Sequence, residues 1–182
     1  MTRIDRTAVI GPPSAAQRAV IRPVLPQESQ RLRELRLRAL RDSPGAFAAS
    51  LAAEEAQPAS YWSQLVAQSA PARDGVVLIA ISDRRWVAMA GSRWFSRADG
   101  IAQLWGMWVE PAARGQGLGH ALIDGIASWA SQRGAALLRL GVIEPAAEIE
   151  SFYQQLGFRR TGETKLLPPD GTISAFFLAR SL

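Results

Sequence analysis

Trp108-Val109-Glu110-Pro111-Ala112-Ala113-Arg114-Gly115-Gln116-Gly117-Leu118-Gly119-His120 is the stretch that decides how this chain is read. An apolar run ends at Val109, a glycine-rich turn follows, and apolar residues then recur at helical spacing. Glycines alternate at 115, 117 and 119. Glycine has no Cβ, so an anion can approach the backbone N–H groups closely. At a helix start those groups lack intrahelical acceptors and lie at the positive end of the macrodipole. The stretch therefore reads as an anion site suited to a pyrophosphate, with Arg114 adding a fixed positive charge. A Walker-type loop is rejected, because no Lys follows the glycines. A dinucleotide fingerprint is not met either: the third glycine comes one residue early, and no acidic residue closes a second strand about 20 residues later. A glycine-rich turn without a ligand is the bland alternative.

Working outward, residues 116–133 form a helix with Leu118, Leu122, Ile126 and Trp129 nearly in line, ended by Gly134. A strand over 136–142 follows. Residues 101–142 thus make a strand–loop–helix–strand unit, a crossover that sets its two strands parallel. Upstream, runs over 76–81, 86–95 and 101–109 are joined by short polar turns and read as an antiparallel meander. Earlier still come a short strand over 20–24, an amphipathic helix over 27–41 stopped by Asp42-Ser43-Pro44-Gly45, and a second helix from Pro58 to Ala70 with Ser60 as its expected N-cap. Downstream, a helix over 147–156 closes at Gly157, and strands over 159–167 and 172–179 form a hairpin across Pro168-Pro169-Asp170-Gly171. The expected architecture is one α/β domain with a mixed sheet over residues 19–182, preceded by a loose arm over 1–18.

Composition narrows the function classes. The chain has 182 residues, of which 48% are hydrophobic and 20% charged, so it can bury a full core and is neither disordered throughout nor fibrous. It has no cysteine, which excludes a disulfide framework, a thiolate zinc site and a cysteine nucleophile. His120 is its single histidine, which excludes a multi-histidine metal site; no metal is expected. No apolar run approaches the roughly 18 residues of a membrane helix, and the first ten residues do not read as a signal peptide. The expectation is a cytoplasmic protein with no membrane partner. The net charge is +5, and all 21 basic residues except Lys165 are Arg. Codon bias and affinity for a phosphate-bearing partner both account for this. Arg31, Arg33, Arg36, Arg38 and Arg41 share one helical run with Leu32, Leu35 and Leu40, which reads as a solvated basic face opposite an apolar one.

The segment Arg114-x-x-Gly117-x-Gly119, opening a helix after a strand, resembles the acyl-CoA-binding motif of the GNAT superfamily of N-acetyltransferases. Leu104-Trp105-Gly106-Met107-Trp108-Val109-Glu110-Pro111 resembles the strand that leads into that motif. Phe152-Tyr153-Gln154-Gln155-Leu156-Gly157-Phe158 is similar to the family's Y-x-x-x-G-F segment, and Leu35-Arg36 through Ala46-Phe47 to Glu54 resembles many bacterial members. Order and spacing match over nearly the whole of residues 19–182.

The resemblance implies a single α/β (α+β) domain with a mixed, mostly antiparallel sheet, whose central parallel strands splay apart. It implies acetyl transfer from acetyl-CoA, as acyl-donor cosubstrate, to a primary amine of a small molecule or peptide by direct attack in a ternary complex. The pyrophosphate would sit on Arg114, Gly115, Gln116, Gly117, Gly119 and His120, and the pantetheine arm against backbone near Met107 and Val109. The N–H near Met107 would face the carbonyl oxygen as it gains charge. Tyr153 would be the general acid: a phenol titrates near 10 and a thiol near 8.5, so the phenol still holds its proton at neutral pH. On its own, Tyr153 also reads as a packing residue beside Phe152 and Leu156, and His120 as a surface or packing residue.

Two departures stand out. Ala146 replaces the Asn that the family often has seven residues before this Tyr, and residues 101–108 hold no carboxylate to serve as base. Glu54 is the first candidate for that role, with Glu110 and Glu144 behind it; all three also read as solvated surface carboxylates. These losses motivate a second reading, a non-catalytic acyl-CoA-binding regulatory module. Nucleic-acid binding through the Arg-rich helix is disfavoured by its Leu stripe and by the lack of an aromatic stacking surface. A homodimer is allowed.

Overall fold

The computed structural model describes residues 19–69, 74–167 and 173–182. The expected arm over 1–18 and the expected turn over 168–171 lie outside the described residues. In chain order the elements are β1 (Val20–Pro23), α1 (Ser29–Asp42), α2 (Leu51–Glu55), α3 (Ala59–Gln68), β2 (Gly75–Ser82), β3 (Arg85–Ser96), β4 (Ile101–Val109), α4 (Leu118–Ser131), β5 (Leu137–Ile143), α5 (Ala147–Gln155), β6 (Arg159–Leu167) and β7 (Ile173–Ser181). The strands form one sheet in the order β1-β2-β3-β4-β5-β7-β6. Every neighbouring pair is antiparallel except β4 and β5, as the crossover predicted.

The dense apolar run of β2 follows from burial on both faces. Val76, Leu78 and Ala80 pack with Leu118, Leu122, Ile123 and Ile126 of α4. Val77 and Ile79 alternate to the other face and pack with Leu32, Leu35 and Ala39 of α1 and Val66 of α3. Leu118, Leu122 and Ile126 are all buried, each contributing about 1.5–3 kcal/mol of apolar transfer. The sheet is thus covered by α1 and α3 on one side and by α4 on the other.

Boundaries moved where local chemistry overrode the pattern. Gly117 has φ 84 and caps α4, so the helix begins at Leu118 rather than 116. Pro58, not Ser60, is the cap of α3. The segment after Phe47, to which the sequence pattern assigns no element, carries the short helix α2, capped by Ser50, whose hydroxyl accepts from the Ala53 N–H at 3.2 Å. Arg36 corrects the reading of α1 as a helix with a wholly solvated basic face: it is only 7% exposed.

Candidate active site

The parallel ladder between β4 and β5 is short. Ile101, Ala102 and Gln103 face Leu137, Leu138 and Arg139, and the pairing goes no further. Gly106 has φ 64, and the β3–β4 register slips by one residue around it, so β4 bulges where β5 leaves it. The gap opens into a cleft of about 700 Å³ walled by Leu104–Val109, Leu140–Ile143, the glycine turn, and Phe152 and Tyr153 of α5.

The glycine turn closes one end of the cleft. Gly115 has φ 71, and a Cβ placed on it would meet nothing within 4 Å, so the turn is open on that side. Gly117 is left-handed as well. The first intrahelical bond of α4 runs from Ala121 N–H to the Gly117 carbonyl at 3.1 Å, so the first-turn amides ahead of it are donors in search of an acceptor. Gly119 serves packing: a Cβ there would lie 3.0 Å from Met107 Cε and 3.1 Å from Phe152 Cζ. This turn and cleft fit a pyrophosphate carrying a long arm.

Most of the sequence-predicted residues converge here. Met107, Val109, Arg114, Gly115, Gly117, Gly119, His120 and Tyr153 all line the cleft. His120 is exposed and meets the Phe152 ring edge-on at 5.3 Å. Gln116 is not part of the lining; its side chain turns back to donate to the Ala112 carbonyl at 3.0 Å. Arg114 is held at the edge: its Nε donates to the Val109 carbonyl at 2.9 Å and its Nη2 to Asp42. Asp42 was legible only as a helix stop. Its carboxyl sits below the usual range, chiefly because Trp108 Nε1 donates to it at 2.9 Å, with Ser43 and Arg114 assisting.

Tyr153 is buried between the Phe152 and Phe158 rings, at centroid distances of 5.2 and 5.6 Å. Burial pushes its phenol well above the ordinary value. The group therefore keeps its proton throughout the neutral and mildly alkaline range.

Glu54 is not among the residues of the cleft. It is buried against Arg36, Oε1 to Nη2 at 3.5 Å, in a separate pocket of about 150 Å³ behind Trp105. Glu110 accepts from Arg38 at 3.1 Å and Arg85 at 3.3 Å. Glu144 is exposed and outside the cleft. Glu148, on the first turn of α5, is a cleft-lining carboxylate that sequence reasoning missed; its place one turn before Phe152 was the available signal. Ala146 is the N-cap of α5 and offers no side-chain cap, as expected from the missing Asn. Among the described residues no cluster of three His, Cys, Asp or Glu could hold a metal, and no helix is long and apolar enough to cross a membrane.

Comparison with known proteins agrees with this geometry. Residues 30–158 match the acetyltransferase (GNAT) family. A probable N-acetyltransferase 14 of Danio rerio is 33% identical over 90 residues, which are 50% of this chain; the match spans 32% of that relative's length. The fold is shared with a GNAT-family acetyltransferase from Streptococcus pneumoniae (TM-score 0.75, 16% identity, 90% of this chain and 99% of that one). It is shared also with the putative acetyltransferase yncA from Salmonella typhimurium, solved with its cofactor acetyl-CoA (TM-score 0.72, 18% identity, 90% and 94%). A glycine turn at the mouth of two splayed strands, a buried tyrosine beside them and a family match over most of the chain lead to one conclusion: this chain belongs to the GNAT family of acetyltransferases.

Proposed function

We propose that the chain transfers the acetyl group of acetyl-CoA to a primary amine by direct attack, with both substrates bound at once. The splay of β4 from β5 beside the glycine turn carries this reading. It gives one continuous cleft with amide donors at one end and a protonated phenol on its wall. Amides from Gly115 to His120 would hold the pyrophosphate, with Arg114 beside them. The backbone of β4 near Met107 and Val109 would bond the pantetheine arm, and the Met107 N–H would stabilise charge developing on the acetyl oxygen. Acetyl-CoA supplies an acyl group activated as a thioester.

Tyr153 is the proposed general acid: its phenol gives its proton to the departing thiolate as the C–S bond breaks, and the second proton leaving the nitrogen after C–N bond formation restores the phenol through solvent. Glu54, set behind Trp105, is assigned to orienting Arg36, and the incoming ammonium loses its proton to solvent water. The test is free-thiol release from acetyl-CoA across a panel of primary amines. Turnover of at least one amine is expected. Thermal stabilisation by acetyl-CoA without turnover of any amine would leave a binding module instead.

A further inference from the structure

The small pocket behind Trp105 has a chemistry that acetyl transfer alone does not use. It is walled by Arg36, Glu54, Tyr61, Trp62, Arg93 and Trp105, with apolar residues beneath. Two of these are buried donors left unpaired. Arg36 is 7% exposed, and its Nη1 has no acceptor among the described residues. Trp62 is 2% exposed, and its Nε1 has none either. A guanidinium and an indole N–H only donate, so what completes this pocket must accept. A buried charge with an unfilled donor is costly, and the ion pair to Glu54, made by Nη2 at 3.5 Å, leaves Nη1 without an acceptor among the described residues.

Charge narrows the ligand further. Arg36 and Arg93 bring two positive charges and Glu54 one negative, which leaves one positive charge in excess. That suits a monoanion such as a carboxylate; a phosphate near two negative charges would meet the Glu54 carboxylate at close range. The planar fork of Arg36 suits a carboxylate too. The pocket also adjoins the cleft. Trp105 walls both, and Arg36 Nη1 lies 3.7 Å from where a Cβ on Gly106, a cleft residue, would stand.

Resting on the acetyl-transfer reading, we propose that this pocket is the acceptor subsite for a carboxylate, and that the acceptor is an amine carrying a carboxylate a few bonds from its nitrogen. Arg36, Arg93 and Trp62 bind the carboxylate, Glu54 holds Arg36 in place, and the amine is left in the cleft beside the β4 bulge. The ligand class is thus an amino acid, or a short peptide whose carboxylate lies near the reacting amine.

The test compares glycine, phenylalanine and glutamate with their α-carboxamides in acetylation by the full chain. At least one acid should exceed its amide tenfold or more in kcat/KM, mainly through KM. Glutamine against the α-amide of glutamate separates an α-carboxylate from a side-chain one. Arg93→Gln, at an exposed position that leaves the fold intact, should bring the ratio several-fold towards one, and Arg36→Gln further still. Ratios near one for every pair overturn the proposal. A second readout needs no turnover: the indole 15N–1H resonance of Trp62, assigned with Trp62→Phe, should shift on titration with the same acids in the presence of CoA and not with the amides. A shift without turnover leaves the subsite standing and removes the transfer reading. Turnover with no shift and no preference for acids does the reverse.

Discussion

The Asp42 carboxylate accepts from the Trp108 indole at 2.9 Å, joining the last residue of α1 to the far end of β4. Arg114 donates to the same oxygen. One acidic side chain therefore fixes the wall of the cleft and the cation beside the glycine turn. Because Asp42 partly neutralises Arg114, the proposed pyrophosphate site would rest more on the backbone amides than the sequence pattern suggests.

Asp42→Asn should lower stability by about 1 kcal/mol at pH 7, the usual net value of such a hydrogen bond. The native carboxyl has a lowered pKa, so its contribution is present above the ordinary carboxylate value and is lost as pH falls through the lowered one. The gap between the two proteins in denaturant melts should be constant from pH 8 to 5 and shrink below about pH 4. A gap that persists unchanged into acid would mean that Asp42 acts through packing.

The glycine turn can be tested without destroying the fold. At Gly115 a methyl group meets nothing, so Gly115→Ala pays only the left-handed backbone, about 1–2 kcal/mol. A ligand at a hundredfold excess over its Kd stabilises by about 2.7 kcal/mol. The apo variant should melt a few degrees lower and lose most of its acetyl-CoA shift, and Gly117→Val should lose all of it. An undiminished shift in both variants would place the pyrophosphate elsewhere.

Tyr153→Phe keeps the ring packed between Phe152 and Phe158 and removes the proton. Turnover should fall about 10-fold or more, with acetyl-CoA binding nearly unchanged. Because burial raises the phenol's pKa, the wild-type rate should show no alkaline fall from this group below about pH 10. A variant as fast as the wild type would make Tyr153 a packing residue.

What the sequence revealed were features with local causes. Gly134 and Gly157 end their helices in left-handed turns at φ 84 and 85, and the continuous apolar run of β2 reflects neighbours on both faces. What it concealed were contacts between distant segments. Arg36 sits in a run of five arginines on α1, and nothing local says that it alone turns inward to Glu54. Asp42 reads as a stop signal because Trp108 and Arg114 reach it only through the closed sheet. The splay of β4 was expected by resemblance, yet Gly106 carried a local hint, since a glycine inside a strand often marks a bulge. Gly91 is similar: a Cβ there would lie 2.3 Å from the Trp105 ring, so the bare backbone is what lets that indole lie between cleft and pocket.

The proton leaving the acceptor is the step with the least obvious owner. Residues 101–108 contain no carboxylate, and Glu54 faces Arg36 outside the cleft. Solvent as the base predicts a rate that climbs with pH towards the pKa of the acceptor amine, near 10 for an alkylamine of the lysine type. Glu54→Gln keeps the size of the side chain and a hydrogen-bonding oxygen for Arg36. It should leave the shape of that profile unchanged and kcat within about twofold, with any loss appearing in the KM of carboxylate-bearing amines. If Glu54 instead takes the proton through water, the substitution should lower kcat at pH 7 by 10-fold or more, and the acidic limb of the profile should disappear. The two outcomes differ in the shape of the curve as well as its height, so one pH series on both proteins assigns the base.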